Sequence, residues 1–201
     1  MNNEKLVKNS KTVWAVLKIF EVCCIIGVAV IIVAEVLFAI PATSKTLVGN
    51  TNIMNIESFK IILSDTSVVN ASSLKTMLIV MLVPYLVYVF IIWYGTKLLE
   101  KVVEPMKEGK PFAEGSAAKM KKFGIVIIVG GLFANICKAV SYVFLKESFD
   151  FDRIFNKSVV TDCSYDFGLD IGFIVAALVV FMLAYVFSYG ESLQIESDET
   201  L

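Results

Sequence analysis

The pattern of apolar and polar positions divides the chain into four long apolar runs separated by polar segments. The runs cover about residues 13–40, 77–98, 123–144 and 169–189. Each reaches or exceeds the ~20 helical residues that cross a hydrocarbon core of about 30 Å. Because a spanning segment must satisfy its own backbone hydrogen bonds, we expect each run to be an α-helix. The pattern therefore predicts an all-α integral membrane protein, a four-helix transmembrane bundle that forms a single membrane domain over residues 1–201.

Composition agrees with this class. The chain has 201 residues, of which 57% are apolar, whereas soluble proteins hold about 45–50%. The segments outside the runs are too short for a soluble domain with its own core. The first run is almost twice as long as the apolar region of a signal peptide, which favours a retained span over a cleaved leader.

The lysine distribution predicts the orientation. The N-terminal segment and the segment between the second and third runs together hold ten lysines, whereas the two other connecting segments hold six basic residues. Cytoplasmic segments carry the excess of Lys and Arg, so we expect both termini in the cytoplasm. Aromatic side chains that favour the membrane interface fall at this proposed inner boundary: Trp14, Trp93, Tyr94 and Tyr189.

The segment between the second and third runs is predicted to extend the bundle as a helical hairpin. An apolar stripe at helical spacing continues past the second run from Leu98 to Met106. Gly109 and Pro111 should then break the helix, and Ser116–Lys122 should restart it. Such a hairpin is either a connector whose lysines reach lipid headgroups or a docking surface for a cytosolic protein. In the segment between the first and second runs, residues 56–63 are predicted to form a short helix or strand.

The tail, Glu191–Leu201, is acidic and contains no basic residue. It should lie beneath the lysine-rich hairpin, where opposite charges favour intramolecular docking. Exposed ion pairs contribute only about 0–1 kcal/mol each, so a partner protein would compete for either surface. The candidate partner-binding residues are Gly109, Pro111, Phe112, Glu191, Gln194, Glu196, Asp198 and Glu199.

The chain resembles the bacterial membrane family called domain of unknown function 2975. The resemblance rests on the four-run layout and on two stretches, Met106–Phe112 and Tyr189–Leu201. The matching residues are Gly109, Pro111, Phe112, Tyr189, Gly190, Leu193, Gln194, Glu196, Asp198, Glu199, Thr200 and Leu201. Glu114-Gly115 departs from the Glu-Asn of that family, which predicts a weaker cap for the third helix with Ser116 as a substitute. The family has no established activity, and its members are often encoded beside a small helix-turn-helix regulator. The resemblance implies a bacterial cell membrane protein with a regulatory partner.

Ionisable residues within the runs form a second candidate site. At 1.5 Å per residue, Glu35, Lys138 and Asp170 fall at similar heights in the outer part of the membrane. Asn135 shares a helix face with Lys138. We predict a buried ion pair between Glu35 and Lys138, completed by Asn135 and Asp170. Alternatively, Lys138 and Glu35 reach the headgroups and Asp170 caps the fourth helix. Near the inner boundary, Lys18 and Glu21 are spaced for a local pair.

Small residues predict where helices contact one another. Gly168, Gly172 and Ala176 are spaced by four in the fourth run, and Gly130 and Ala134 are spaced likewise in the third. This spacing lets helices approach closely. It serves either packing within the bundle or a homo-oligomer.

Residue types argue against enzymatic chemistry. The chain has no histidine, and its cysteines (Cys23, Cys24, Cys137 and Cys163) form no Cys-x-x-Cys motif. We therefore expect no catalytic site, no metal and no cofactor. The sequence favours a regulatory or scaffolding protein of the lipid bilayer that binds a cytosolic partner and does not itself bind nucleic acid. The alternative is a small oligomeric transporter, channel or peptide-immunity protein whose polar pathway contains Glu35, Asn135 and Lys138.

Overall fold

Four long helices dominate the computed structural model, which describes residues 3–39, 53–56, 59–62, 71–148 and 168–199. They are α1 (Asn3–Ala39), α2 (Ala71–Met106), α3 (Ser116–Ser148) and α4 (Gly172–Glu199). Each contains a segment that is long and apolar enough to cross a membrane. Even α4, with 28 residues, is about 42 Å long, which exceeds the ~30 Å hydrocarbon core. The prediction of a helical, multi-pass membrane protein is confirmed at this level.

Large apolar side chains cover the outer surfaces of all four helices. Examples are Ile25, Phe90, Ile136 and Val175, each more than half exposed. A soluble protein rarely exposes such extended apolar surface. In a bilayer the same surface faces lipid tails, so the exposure agrees with the membrane assignment.

The described residues also include a short antiparallel hairpin. Strand β1 (Ile53–Ile56) pairs with β2 (Phe59–Ile62), with Ile56 opposite Phe59 and Ile53 opposite Ile62. Of the two conformations predicted for residues 56–63, the structure has the strand at Phe59–Ile62. The all-α fold class therefore holds for the long helices, and the strand alternative holds for Phe59–Ile62, whose pairing with Ile53–Ile56 was not predicted.

The chain divides into two compact units. The first joins Met1–Val28, Val87–Ala134 and Asp170–Leu201, and the second joins Ala29–Leu86 and Asn135–Leu169. The first unit thus contains the start of α1, the end of α2, the start of α3 and all of α4. In the second unit, the hydroxyl of Ser141 lies 3.0 Å from the sulfur of Met81.

The core of the first unit is built on the apolar stripe that the sequence places past the second run. Val102, Met120 and Ala184 are buried together, each less than a tenth exposed. Around them pack Leu99, Met106, Val180 and Phe187. The stripe therefore packs against α3 and α4, which joins the extended ends of these helices into one structure.

Small residues contact other helices at positions that differ partly from the predicted ones. Gly130 is buried against Ile91, as the spacing predicted. In α4, however, Gly172 and Ala176 are exposed, whereas Ala177 and Ala184 are buried. The reason is that α4 packs on α3 through large side chains as well. Phe173 and Phe181 lie over Gly131 and Gly124, so the face of α4 that contains them turns inward.

Candidate functional site

The turn after α2 ends the helix through the bonds of a Schellman motif. The amide of Gly109 donates to the carbonyl of Met106 at 3.1 Å, and the amide of Lys110 donates to the carbonyl of Pro105 at 3.1 Å. Gly109 has φ +80°, a conformation that other residues adopt only with strain. The predicted break at Gly109 is confirmed, and its cause is this left-handed residue.

Phe112 holds the turn against α4. Its ring lies 5.6 Å from that of Phe187, with an angle of 70° between the ring planes. Gly190 is buried directly beneath the Phe112 ring, where an added Cβ would overlap the ring atoms. The two stretches that carry the family resemblance are therefore in direct contact, although 76 residues lie between Phe112 and Tyr189 in the sequence.

Glu191 caps the start of α3. The carbonyl of Gly115 accepts the first helical bond, from the amide of Lys119 at 3.2 Å, so Gly115 occupies the N-cap position without a capping side chain. The Glu191 carboxylate instead accepts a hydrogen bond from the amide of Ala117 at 2.6 Å. A carboxylate at this place also interacts favourably with the helix dipole.

The expectation that Ser116 substitutes for the missing cap is wrong. Ser116 is fully buried, and its hydroxyl has no hydrogen-bond partner among the residues that the structure describes. The cap comes from α4, 74 residues away. We call the contacts of Phe112 with Phe187 and Gly190, and of Glu191 with Ala117, the turn–α4 clamp.

A four-charge cluster joins α1 to α2 in the same unit. Lys18 lies 2.8 Å from Glu21 and 3.2 Å from Glu100, and Lys97 lies 3.2 Å from Glu100. Lys97 also pairs with Glu21. The predicted local pair of Lys18 with Glu21 is confirmed, but it is only one of the four ion pairs of this cluster.

Tryptophans border the charge cluster. Lys18 lies 5.5 Å from the ring centre of Trp14, and Lys97 lies 5.9 Å from that of Trp93. Lys107 lies over Trp14 at 3.8 Å. Each distance is within the range of cation–π attraction. Trp14 and Trp93 are the residues that the sequence predicts at the membrane interface, so we expect the cluster near that level.

The four charges are arranged as a structural contact that joins α1 to α2. Each carboxylate contacts both ammonium groups, and the four charges sum to zero. The Glu100 side chain is only 9% exposed. Ionisable groups at membrane depth pair in this way because an isolated charge there is costly. In the sequence, this contact corresponds only to two equal spacings, Lys18–Glu21 and Lys97–Glu100, each within two turns of a tryptophan. Such spacings indicate local pairs and do not specify a contact between two helices.

The predicted outer polar cluster is described only in part. Asn135 is buried. The Lys138 ammonium lies 3.5 Å from the carbonyl of Gly168. The Asp170 carboxylate accepts a bond from the amide of Gly172 at 2.9 Å, which is the capping alternative for α4. The side chain of Glu35 lies outside the described residues, so its pairing with Lys138 stays a prediction.

The remaining candidate partner-binding residues lie beyond the clamp. Pro111 and Gln194 are half-buried, and Glu196 is exposed. Asp198 and Glu199 belong to the last turn of α4, but their side chains lie outside the described residues, as do Thr200 and Leu201 altogether. The acidic tail is therefore a helical continuation of α4 through Glu199.

Within the part of the chain that is described, no three His, Cys, Asp or Glu side chains lie together as a metal site would require. Cys23, Cys24 and Cys137 are free thiols. Comparison with protein-family models, with curated proteins and with solved structures gave no match to this chain.

Proposed function

We propose that this chain is a regulatory or scaffolding membrane protein that holds a cytosolic protein at the membrane surface. The observation that carries the proposal is the turn–α4 clamp. It fixes residues 107–115 and the end of α4 to each other through aromatic packing and a helix cap. A simple connector between two spans needs no such contact, whereas a docking surface needs a defined shape before the partner arrives.

The clamp also separates two roles among the candidate residues. Phe112 and Glu191 point inward and support the structure. The acidic residues Glu196, Asp198 and Glu199 follow them in the last two turns of α4. Their charge suits a partner with a basic surface, and charge complementarity of this kind mainly raises the rate and specificity of association.

A small helix-turn-helix regulator fits this chemistry. Such proteins carry a basic face that neutralises DNA phosphates. An acidic helix at the membrane would compete with DNA for that face, so that binding here removes the regulator from its operator. The family resemblance supports the same partner class. The lysine excess supports the corresponding orientation, with the clamp and both termini in the cytoplasm.

The test is co-purification of the chain with the product of its neighbouring gene, in mixed micelles, where we expect that product to be a small helix-turn-helix regulator. Neutralising the tail with Glu196→Gln, Asp198→Asn and Glu199→Gln should weaken the complex about tenfold, since a surface ion pair contributes at most about 1 kcal/mol. The matched control is Asp170→Asn, an exposed acid at the other end of α4 whose capping oxygen the amide retains, which should change the affinity less than about twofold.

Two results would overturn the proposal. One is a reporter fused after Leu201 that is active only outside the cell. The other is a tail-neutralised chain that retains the regulator as well as the unaltered chain does. Ion flux in liposomes that Lys138→Met abolishes would replace the proposal with the transport alternative.

A further inference from the structure

An open groove of about 370 Å³ lies in the first unit between the start of α1 and the end of α2. Its apolar lining comes from both helices: Leu6 and Val13 on α1, and Val103 and Met106 on α2. Lys5, Asn9 and Ser10 complete the lining. Ser10 already donates its hydroxyl to the carbonyl of Leu6 at 2.9 Å. The groove therefore offers mainly apolar surface, with an ammonium and an amide available at its edge.

The position of the groove argues for an aqueous partner over a lipid tail. Every lining residue of α1 precedes Trp14, and Leu6 lies about 12 Å from Trp14 along the helix axis. Val103 and Met106 follow Trp93 by ten residues or more. The groove thus lies beyond the charge cluster, toward the N-terminus of α1, with Trp14 beside it.

The charges around the groove are mainly positive. Residues 4–13 of α1 and 101–107 of α2 hold five lysines against two glutamates, Glu4 and Glu104. Lys5, Lys8, Lys11 and Lys101 are exposed. An occupant that combines apolar side chains with this charge complement is an amphipathic helix whose polar face is acidic. Recognition of such helices by apolar grooves is common, with anchors at i, i+3 or i+4, and i+7.

We infer that the groove is the docking site for an acidic amphipathic helix of the cytosolic partner. This inference rests on the proposed function, and it adds a second contact on α1 and α2 to the acidic one on α4. The two surfaces have opposite charge. A partner that uses both must present a basic face to the α4 tail and an acidic amphipathic helix to the groove.

The experiment measures fluorescence anisotropy of labelled peptides with the full-length chain in phosphatidylcholine nanodiscs. The first probe is a helical peptide of about 18 residues with leucines on one face and glutamates on the other. The second has lysine in place of every glutamate. The glutamate peptide should bind about tenfold more tightly than the lysine peptide, and the difference should shrink as the salt is raised from about 0.05 M to about 0.5 M.

Variants locate the binding site. Leu6→Gln should weaken binding of the glutamate peptide about fivefold or more, because it removes an apolar contact. The control is Leu193→Gln, an exposed leucine of α4 that does not line the groove. Reversing exposed charges with Lys5→Glu, Lys8→Glu and Lys11→Glu should invert the peptide preference, which a folding defect cannot do.

Several outcomes would overturn the inference. Equal affinity for the two peptides would show that charge does not select the occupant. Loss of peptide binding when the nanodiscs contain phosphatidylglycerol would assign the lysines to lipid headgroups. Binding that falls as the chain dimerises would assign the groove to a second copy. None of these results depends on the α4 tail, so failure here is distinguishable from failure of the proposed function.

Discussion

In the first unit, the contact between α1 and α2 and the contact between α3 and α4 hold helices together by different interactions. The helices α1 and α2 meet through four charges, two from each helix. The helices α3 and α4 meet through phenylalanines seated on glycines: Phe181 on Gly124, where an added Cβ would lie 2.7 Å from the ring, and Phe173 on Gly131. The first contact depends on electrostatics, and the second depends on shape.

The difference agrees with where the sequence predicts each contact relative to water. We expect the charge cluster at the level of the interfacial tryptophans, where partial hydration lowers the cost of carrying charge. Within lipid there is no hydrophobic force between helices, so close van der Waals packing on small residues must hold them together. The clamp at Gly190 repeats the glycine–phenylalanine contact near the C-terminal end of α4, so shape also fixes that end.

The largest expected effect is on the shape-dependent contact. In Gly131→Ala the new methyl group meets the ring of Phe173 near its attachment to the backbone, where ring rotation gives no relief. We expect about 3 kcal/mol of destabilisation, as for severe overpacking. Equilibrium unfolding in mixed micelles measures it.

The matched control for that variant is Gly27→Ala, because nothing lies within 4 Å of the Cβ position of Gly27. It should be neutral or stabilise by up to about 1 kcal/mol, from helix propensity alone. Phe173→Leu should partly rescue Gly131→Ala. If both alanine variants unfold alike, the ring does not occupy the space above Gly131.

The second effect is on the charge-dependent contact. Glu100→Gln leaves Lys18 and Lys97 facing the single carboxylate of Glu21. We expect a loss of about 2 kcal/mol, below the 3–5 kcal/mol typical of fully buried pairs because Lys18 is 39% exposed. The same unfolding measurement at low salt detects it.

Salt then separates the two contacts. At about 1 M KCl the effect of Glu100→Gln should shrink, since screening weakens the partly exposed cluster in the unaltered chain as well. The effect of Gly131→Ala should not change. Lys101→Gln, at an exposed neighbouring position, should stay within about 0.5 kcal/mol of the unaltered chain. A salt response of equal size in both variants would contradict the division into charge and shape.

The smallest effect concerns the clamp, which uses both kinds of contact. Glu191→Ala removes the cap of α3 and should cost about 1 kcal/mol. Hydrogen exchange at the Ala117 amide should accelerate, because this amide donates to Glu191. Glu108→Ala, at an exposed acid in the same turn, should leave the exchange rate unchanged. Unaltered exchange in Glu191→Ala would mean that another group caps the helix.

Much of the fold was predictable because the bilayer imposes it locally. A run of about 20 apolar residues must form a helix wherever it sits in lipid, since its backbone has no other partner. The stop at Gly109 and the restart at Ser116 also follow from local preferences. The strands near Ile56 were less certain from sequence, because a short apolar segment suits a helix or a strand equally.

The candidate site was predictable only as a set of residues. The tail and the turn were singled out together, but the role of Glu191 as a cap was not, because capping by a distant carboxylate leaves no local pattern. Ser116 was the local choice for that role. The Glu35–Lys138 pair was inferred from equal heights along separate helices, an argument that does not fix which way either side chain points.

The sequence by itself determined the four long apolar helices of the described residues and which side chains are able to form charge pairs. These are consequences of composition and spacing along one segment. The sequence did not determine every helix end, because α1 begins ten residues before the first predicted run and α4 ends ten residues after the last one. The tertiary structure alone decided that Lys97 and Glu100 meet Lys18 and Glu21, that phenylalanines seat on Gly124, Gly131 and Gly190, and that Glu191 caps α3. The physical reason is that each of these contacts depends on the rotation and axial offset of one helix against another, and many combinations of rotation and offset satisfy the hydrocarbon core equally well.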